Sequence, residues 1–332
     1  MTDILLSKPN IPDDFIDVSV GEAHLVRDCF LKHYGQELYL KLDDLSGSYP
    51  HPAGQKKLLT LLEEKYKYPV LITNGAKQAL GAAFYALNKT GKSQVFMRKP
   101  YWALIPPLLR QHNLSYVSKN YDSILCLAPN NPDGHTPDVD NLHLQEKMAA
   151  DSKVPFIHDA AYFTHTYLPK NYRLDVIGDM QIFSISKMYG MSGVRLGYIV
   201  CKNTQYYSLL KEYLEMMTVG VSSLSQEFLY KVLSYEKQFP KVKAAFEEES
   251  SFYLKEAKKK VKNINKDVLE VPDNFEETPG MFLWAKVGKS ADFNRSKVYF
   301  VSGEHFGVNG YVRMNVAQRP NVLQEIINRL NS

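Results

Sequence analysis

Short apolar runs alternate with amphipathic stretches between about residue 53 and residue 201, and this alternation restricts the fold more than any other feature. The runs are rich in Val, Ile, Leu and Phe and lack polar alternation, which is typical of strands covered on both faces. They predict strands at residues 70–73, 93–97, 115–117, 124–127, 154–158, 181–184 and 196–200. Amphipathic stretches such as residues 77–87 and 139–149 predict helices between them. The pattern therefore predicts an α/β domain with a mostly parallel sheet and crossover helices.

The pattern changes after about residue 203, which divides the chain into a larger and a smaller part. Residues 225–263 are charged and favour helices with a solvated face. A shorter αβ pattern follows, with strands near residues 282–286, 297–300 and 311–316 and a last helix at residues 322–330. We predict a large domain at residues 46–215 and a small C-terminal domain at residues 216–332. Residues 1–45 lack a core of their own, so we expect them to pack on the small domain or on a neighbouring subunit.

Composition and charge argue against several classes of partner. Among 332 residues, 40 Lys and Arg stand against 36 Asp and Glu, and the net charge of +4 forms no basic stripe, so no nucleic-acid partner is predicted. The three cysteines, Cys29, Cys126 and Cys201, show no spacing typical of zinc or disulfides, and no metal is predicted. The N-terminus does not resemble a signal peptide, and no apolar run approaches the ~20 residues that span a bilayer. We therefore expect a cytoplasmic protein with no membrane partner.

One lysine stands where a sheet of this kind collects ligands. In FSISKMYGMSGVRLGYIV, residues 183–200, a hydroxyl-rich strand end leads through Lys187 into a glycine-rich turn. Ligands of open α/β sheets bind at the carboxyl ends of strands, and a lysine nucleophile loses its proton more easily when it is buried near other cations. Ser184, Ser186 and Arg195 are suited to hold a phosphate beside it. The alternative is a surface loop with an incidental lysine.

The same segment resembles the Ser-x-Ser-Lys-x-x-Gly-x-x-Gly-x-Arg-x-Gly signature of class I/II aminotransferases, which are fold type I pyridoxal-phosphate enzymes. The resemblance extends over roughly residues 15–330, although the chain is compact for that family. It implies a large domain with a mostly parallel sheet and a smaller α/β domain. It also implies the cofactor pyridoxal 5'-phosphate, held by Lys187 as a Schiff base, with Ser184 and Arg195 at the cofactor phosphate.

The segment IHDAAYF places Asp159 and Tyr162 at the end of an apolar strand. A buried carboxylate is costly unless it meets a cation, and the protonated ring nitrogen of the cofactor is a suitable one. For an isolated aspartate, a helix cap is the alternative. The segment resembles the Asp-x-Ala-Tyr pattern of the family, which implies that Asp159 pairs with the ring nitrogen and that Tyr162 donates to the ring oxygen.

Two loops resemble further cofactor segments of the family. APNNPDG is by itself a turn signal, but it resembles the Asn-Pro-x-Gly loop, which implies that Asn131 contacts both the cofactor ring oxygen and the substrate carboxylate. Asp133 departs from the small or hydroxyl residue often found there. In VLITNGAKQAL a strand ends and a helix begins, so free backbone amides favour an anion. The resemblance implies that Gly75, Ala76 and Lys77 bind the cofactor phosphate.

Outer segments add a stacking residue, a shared subunit contact and a carboxylate ligand. In RKPYWALIPPLL the resemblance implies that Trp102, in preference to Tyr101, stacks on the cofactor ring, with a role in the core as the alternative. The segment IDVSVGE resembles the entry segment of the family, which implies that Gly21 lies beside the substrate. The segment GSYPHPAGQKKL resembles the Tyr-x-x-x-x-Gly segment of the family. This resemblance implies that Tyr49 reaches the cofactor phosphate of the neighbouring subunit, and hence a homodimer with a shared active site. The segment GYVRMNVA resembles a small-domain segment of the family, which implies that Arg313 binds the substrate α-carboxylate.

The resemblance implies an aminotransferase that moves an amino group between an amino acid and a 2-oxo acid. A decarboxylase, a carbon–sulfur lyase or an amino-acid oxidase on the same scaffold is the nearest alternative, and a non-catalytic cofactor-binding regulator is another. No second arginine is assigned to a distal carboxylate, so strict aspartate specificity is not indicated. The amino donor stays open, as do the roles of His24 and His51 and the positions of Arg98, Arg295 and Lys297.

Overall fold

The structure is a computed structural model that describes residues 11–36, 38–45 and 47–332. Its strands are β1 Ile16–Asp17, β2 Val70–Thr73, β3 Gln94–Phe96, β4 Ser115–Val117, β5 Ser123–Leu127, β6 Phe156–Asp159, β7 Met180–Ser184, β8 Gly197–Cys201, β9 Leu269–Glu270, β10 Phe282–Val287, β11 Val298–Tyr299, β12 Val301–Ser302 and β13 Tyr311–Asn315. Its helices are α1 His24–Tyr34, α2 Lys56–Tyr66, α3 Gly75–Lys89, α4 Ile105–Gln111, α5 Val139–Asp151, α6 Ile185–Met188, α7 Tyr207–Thr218, α8 Ser223–Gln238, α9 Pro240–Val261, α10 Phe293–Ser296 and α11 Pro320–Asn331.

The large sheet has the strand order β2-β8-β7-β6-β5-β3-β4. Strands β7, β6, β5, β3 and β4 are parallel, whereas β8 is antiparallel to both of its neighbours. All of the strands predicted between residues 70 and 200 occur, and their ends differ from the prediction by at most two residues. The central strands β6, β7 and β8 are buried throughout, which explains their continuous apolar runs. The carboxyl ends of β5, β6 and β7 lie at one edge of the sheet, where a shared site can form.

Helix α3 packs closely on the sheet because its buried face consists mainly of small residues. Ala79, Ala82 and Ala83 are fully buried, and the helix contacts α7 and strands β7 and β8. At Gly81 an added Cβ would lie 2.7 Å from the hydroxyl of Tyr213, so only glycine permits the approach of α7. The helix begins at Gly75, two residues before the predicted start. Its N-terminus is thereby directed at the same edge of the sheet.

A smaller antiparallel sheet has the strand order β12-β13-β10-β9 and carries Arg313 on its strand β13. The strand predicted at residues 297–300 occurs as β11, but it pairs in parallel with β1 and not with this sheet. The N-terminal segment is also held by Asn315, whose side chain donates to the carbonyl oxygens of Val20 at 2.8 Å and Glu22 at 2.7 Å. The chain around residue 21 is therefore fixed next to β13.

None of the described helices combines the length and the apolar character that crossing a bilayer requires. The described residues also contain no group of three or more His, Cys, Asp or Glu side chains arranged to hold a metal ion. Cys29, Cys126 and Cys201 are free thiols.

Candidate active site

A cavity of about 580 Å³ lies where the carboxyl ends of β5, β6 and β7 meet α3 and the small sheet. All of the predicted site residues except Tyr49 line it: Gly21, Gly75, Ala76, Lys77, Trp102, Asn131, Asp159, Tyr162, Ser184, Ser186, Lys187, Arg195 and Arg313. The side chain of Tyr49 instead lies on the surface, with 89% of the residue exposed. The fold thus collects residues from the N-terminal segment, the large sheet and the small sheet around one space.

Lys187 lies in the short helix α6, directly after β7, and its amine donates a hydrogen bond to the carbonyl oxygen of Gly21. The pKa of this amine is lowered to about 8, mainly by removal from bulk water and also by the positive charges of Arg313 and Arg195, against the opposing charge of Glu22. The neutral amine is the nucleophilic form, so a pKa near the working pH suits attack on an aldehyde. Gly21 leaves room for this contact, because an added Cβ would lie 3.1 Å from the amine nitrogen and the lysine side chain would have to shift.

The N-terminus of α3 and Arg195 form a cationic corner of the cavity. Gly75 has φ +75°, and an added Cβ would lie 3.1 Å from Nη2 of Arg195. Partial burial and the nearby charge of Arg195 lower the pKa of Lys77. Free helix amides together with two cationic side chains favour a doubly charged anion. The hydroxyl residues Ser184 and Ser186 are both buried along the same cavity.

Asp159 ends strand β6 and is 7% exposed. Its carboxylate accepts the backbone N–H of Ala161 at 3.1 Å. Burial raises the pKa of this carboxyl group to about 6, and the hydrogen bond from Ala161 offsets the shift only in part. A cation placed against the carboxylate would restore its ionised form and in turn would be stabilised by it. Tyr162, three residues later, lines the same cavity and is also buried.

Arg313 is held as a buried cation on β13. Its Nη1 donates to Oδ1 of Asn131 at 3.0 Å, and its Nη2 donates to the carbonyl oxygen of Ser19. The guanidinium carbon lies 4.3 Å from the ring centre of Phe282 and 5.1 Å from that of Phe306. Burial lowers the pKa of Arg313 to about 10, which still leaves it charged at neutral pH. Its Nε is buried without a hydrogen-bond partner among the described residues. The residue lines the cavity, where its charge favours an anion.

These observations fit pyridoxal phosphate. The cationic corner at Gly75 and Arg195 suits its phosphate, the amine of Lys187 suits its aldehyde, and the buried carboxyl group of Asp159 suits a protonated ring nitrogen. The guanidinium of Arg313, which lines the cavity, suits a carboxylate brought by a substrate. The three chemical groups of the cofactor therefore each have a residue of matching character in one cavity.

The two aromatic residues weighed for stacking have different surroundings. Trp102 lines the cavity. The ring of Tyr101 packs against that of Tyr116, with 5.4 Å between the ring centres, and its hydroxyl lies next to Gly307. The position of Trp102 is therefore compatible with stacking on a bound ring, whereas Tyr101 supports the loop behind it.

Sequence reasoning did not assign several residues that line the cavity. They are Ser19, Val20, Glu22, Leu104, Leu127, Pro129, Ala161, Ser192, Phe282, Tyr299 and Val301. Glu22 directly follows Gly21, and Phe282 belongs to the segment that precedes Arg313 in the predicted small domain, so proximity in sequence was an available signal for these two. Tyr299 and Val301 come to the cavity only through pairing and turns of the small part, which no local pattern indicates.

The residues whose roles were open do not line the cavity themselves. His24 lies 3.5 Å from the carboxylate of Glu22, which does line it, and the ring of His51 accepts the backbone N–H of Ala53 at 3.2 Å. Arg98 pairs with Asp133 at 2.6 Å, which gives the unusual aspartate of the Asn131 loop a structural role. Arg295 donates to the carbonyl oxygen of Ser332, and Lys297 pairs with Asp14.

A second cavity, of about 460 Å³, lies on the other side of the Asn131 loop and shares Leu127 with the first. Its walls include Phe96, Ile124, Cys126 and Met148. Burial raises the pKa of the Cys126 thiol to about 12, which makes it a poor nucleophile. The first cavity is therefore the candidate active site, because it alone of the two contains the cluster of lysine, arginine and buried carboxylate.

Comparison with known proteins gives matches of the same kind. The family model described as Allinase matches residues 62–278. Tryptophan aminotransferase-related protein 2 of Arabidopsis thaliana is 30% identical over 177 residues, which make up 49% of this chain and 38% of that protein. The protein of the same name from Oryza sativa subsp. japonica is 26% identical over 315 residues, or 80% of this chain and 60% of that protein. The chain thus spans less than two thirds of the length of these two relatives.

Solved structures support the fold. A double mutant of Thermus thermophilus aspartate aminotransferase superposes with a TM-score of 0.79 at 17% sequence identity, covering 96% of this chain and 91% of that chain. At this identity the likeness concerns the fold, and it confirms the predicted α/β fold class. Together with the family match, it also confirms the predicted resemblance and the cofactor of that fold.

Proposed function

This chain belongs to the Allinase family, within the class I/II aminotransferases of fold type I, and on that premise we propose that it is a pyridoxal-phosphate-dependent aminotransferase acting between an amino acid and a 2-oxo acid. The observation that carries the proposal is the lysine amine of lowered pKa, Lys187, in one cavity with Asp159, Arg195 and Arg313. The aminotransferase names of the similar proteins support the choice of reaction.

Lys187 is proposed as the attachment residue and as the proton carrier. When bound, pyridoxal phosphate supplies an aldehyde that combines with amines and a protonated ring that withdraws electrons from the substrate α-carbon. With the cofactor bound, the amine of Lys187 would take the proton from the substrate α-carbon and would give it up at the carbon of the cofactor aldehyde group. A pKa of about 8 leaves part of the amine neutral near neutral pH, as a general base requires.

The remaining polar residues are proposed to hold and orient the cofactor. The helix amides at Gly75 and Ala76, with Lys77 and Arg195, would hold the phosphate of the cofactor. Asp159 would keep the ring nitrogen protonated by placing a negative charge beside it.

Arg313 and Asn131 are proposed to bind the α-carboxylate of the substrate. The rings of Phe282 and Phe306 on the guanidinium limit its movement and keep water away. Arg313 lines the cavity together with Asn131, to whose side-chain oxygen it donates, so a substrate carboxylate there would meet a charged donor. A fixed carboxylate places the α-carbon reproducibly before Lys187.

The rest of the cavity favours a substrate with a neutral side chain. Val20, Tyr299 and Val301 provide apolar surface. The basic residues that line the cavity in the described part of the chain already have the roles given above, and Glu22 adds a negative charge. A side-chain carboxylate would meet repulsion without a partner. The names of the two plant relatives point to tryptophan, so we infer that neutral, aromatic donors are preferred over aspartate.

A homodimer that shares its active sites is part of the proposal. Tyr49 is 89% exposed, and Pro50 beside it packs on Gly220, next to Val219, which is 48% exposed. Met216, Met217 and Leu224 extend this exposed apolar surface. Such a surface is typical of an interface, and a second copy covering it would bring its own Tyr49 to the open phosphate end of the cavity.

A panel of amino donors tests the reaction. The purified protein, loaded with pyridoxal phosphate, is mixed with tryptophan, phenylalanine, alanine and aspartate, and the loss of cofactor absorbance is followed. Neutral donors should convert the cofactor to its amine form, and a 2-oxo acid should reverse the change. Products distinguish the alternatives, because decarboxylation releases carbon dioxide and oxidation consumes oxygen, whereas carbon–sulfur lysis is detected as a released sulfur compound when a cysteine derivative is used as the donor. A cofactor-loaded protein that converts no donor contradicts the proposal.

Borohydride reduction identifies the attachment residue and has an internal control. Lys258 is 4% exposed, and burial lowers its pKa to about 7, so it is at least as easily deprotonated as Lys187. Its amine donates to the carbonyl oxygen of Thr278, and it does not line the cavity. Reduction followed by peptide mass spectrometry should find the cofactor on Lys187 and not on Lys258. Label on Lys258 alone would contradict the assignment of the site.

A further inference from the structure

Tyr167 contacts the backbone of the active-site lysine from outside the cavity. Its hydroxyl donates a hydrogen bond of 2.8 Å to the carbonyl oxygen of Lys187. The residue follows strand β6 in sequence, is 4% exposed and is not part of the cavity lining. It therefore does not touch a bound cofactor or substrate, yet it contacts the residue on which the chemistry depends.

The carbonyl of Lys187 lies where a helix needs an external donor. Helix α6 has four residues, Ile185–Met188, and the N–H of Tyr189 closes its turn by bonding to the carbonyl oxygen of Ile185. The last carbonyls of a helix have no partner within the helix, and a buried one is costly without a donor. The hydroxyl of Tyr167 supplies this donor, and it thereby fixes the peptide plane of Lys187.

Tyr167 is itself held on several sides, so its hydroxyl has little freedom. Its backbone N–H donates to Thr164 at 3.0 Å, and its carbonyl oxygen accepts the N–H of Gly280 at 3.3 Å. Its ring meets that of Tyr162 edge to face, with 5.3 Å between the ring centres. Burial raises the pKa of Tyr167 well above its ordinary value, so the hydroxyl keeps its proton and remains a donor.

We propose that Tyr167 is a positioning residue for Lys187, which directs the lysine amine into the cavity by holding its peptide carbonyl. The inference rests on the proposed function, because positioning matters only if the amine reacts. Since the side chain of Lys187 starts from the held peptide, a small rotation of that peptide moves the amine relative to Gly21 and Arg313. Such displacements in an active site cost far more in rate than in stability.

A pair of tyrosine variants isolates this contact. Tyr167→Phe removes the hydroxyl that bonds to Lys187. Tyr172→Phe removes a hydroxyl that likewise donates to a backbone carbonyl, that of Pro137 at 2.6 Å, away from the cavity. Both are loaded with pyridoxal phosphate and compared with the wild type in three measurements. These are the thermal unfolding temperature, the pH midpoint of the cofactor absorbance, and kcat and KM for an amino donor.

Tyr167→Phe should shift the pH midpoint of the absorbance by about half a pH unit, because the environment of the amine changes. Its kcat should fall roughly tenfold, with KM little changed. Tyr172→Phe should match the wild type in both. Equal midpoints and kcat values in the two variants would overturn the positioning role and leave the proposed function intact. If the wild type converts no donor but Tyr167→Phe alone shifts the midpoint, the proposed reaction fails and the positioning role stands.

Discussion

The guanidinium of Arg313 donates a 3.0 Å hydrogen bond to the side-chain oxygen of Asn131, which lies 182 residues earlier in the chain. The bond joins β13 of the small sheet to the loop that follows β5 of the large sheet. Both residues were predicted, from separate segments, to meet the substrate carboxylate. Their direct contact means that the proposed carboxylate site is already assembled in the protein alone, so binding there would require little rearrangement.

Substitution of Arg313 by lysine should show whether substrate binding needs the guanidinium geometry or only the positive charge. Arg313→Lys keeps the positive charge but loses the planar fork and its contact with Asn131. We expect kcat/KM for an amino donor to fall by about 10- to 100-fold, mainly through KM, as loss of charged hydrogen bonds predicts. Arg319→Lys is the control, because Arg319 is exposed and pairs with Asp28 at 2.9 Å. Steady-state kinetics in which both variants lose activity equally would contradict the assignment.

The raised pKa of Asp159 makes the stability of the cofactor-free protein depend on pH. Folding raises this carboxyl pKa from 3.8 to about 6, so its contribution to stability is lost as pH rises from about 4 to about 6. Asparagine does not titrate. Asp159→Asn should therefore gain stability relative to the wild type across this interval, by up to about 3 kcal/mol. Urea unfolding at about pH 4.5 and about pH 6.5 measures the difference.

Asp138 provides a control whose carboxyl pKa is shifted in the opposite direction. It is the N-cap of α5, and the N–H of Asn141 donates to its carboxylate at 2.8 Å, which lowers the carboxyl pKa. Stability from this carboxylate is present above its unfolded pKa of 3.8 and is lost as pH falls below that value. Asp138→Asn should therefore keep a nearly constant stability difference from the wild type between about pH 4.5 and about pH 6.5. Parallel trends in the two variants would show that the buried carboxylate is not responsible.

The strands of the large sheet could be predicted because a strand buried on both faces has a continuous apolar run in its local sequence. Residues 70–73 and 115–117 were predicted with the bounds that the structure has. The antiparallel direction of β8 and the pairing of β1 with β11 could not be read from the sequence. Both depend on which distant segments meet, and an apolar run has the same appearance in either direction.

In the candidate site, too, residues with a local sequence signal could be predicted, whereas those that depend on contacts between distant segments could not. Asp159, Ser184 and Lys187 stand at or just after strand ends, where local pattern and motif spacing indicated them, and they meet in the cavity. Tyr167 was not indicated, because its proposed role depends on a hydrogen bond from the segment after β6 to helix α6, which only the tertiary structure brings together. Residues that act by contact within a motif could thus be predicted, whereas residues that support them from another element could not.

Alanine substitutions at two glycines should distinguish the effect of backbone strain from the effect on cofactor binding at the cationic corner. Gly75 and Gly91 have similar left-handed conformations, with φ +75° and φ +79°. An alanine at either position should cost about 1 kcal/mol of unfolding free energy. An added Cβ at Gly75 would lie 3.1 Å from Arg195, whereas none of the described atoms lies within 4 Å of one at Gly91. Only Gly75→Ala should therefore weaken pyridoxal phosphate binding, by roughly tenfold in an absorbance titration. Equal affinities of the two variants would exclude a phosphate contact at Gly75.

Mixed dimers should show whether Tyr49 acts across the subunit interface. Lys187→Ala and Tyr49→Ala are each expected to impair the homodimer, the first completely and the second through weaker cofactor binding. In a mixed dimer, the intact Lys187 of one subunit meets the intact Tyr49 supplied by the other, so about one wild-type site per mixed dimer should form. Coexpressed variants with two different tags allow this species to be purified and assayed. Activity that does not exceed that of the Tyr49→Ala homodimer would mean that Tyr49 serves its own chain or none, because only an exchange of residues between subunits restores a complete site.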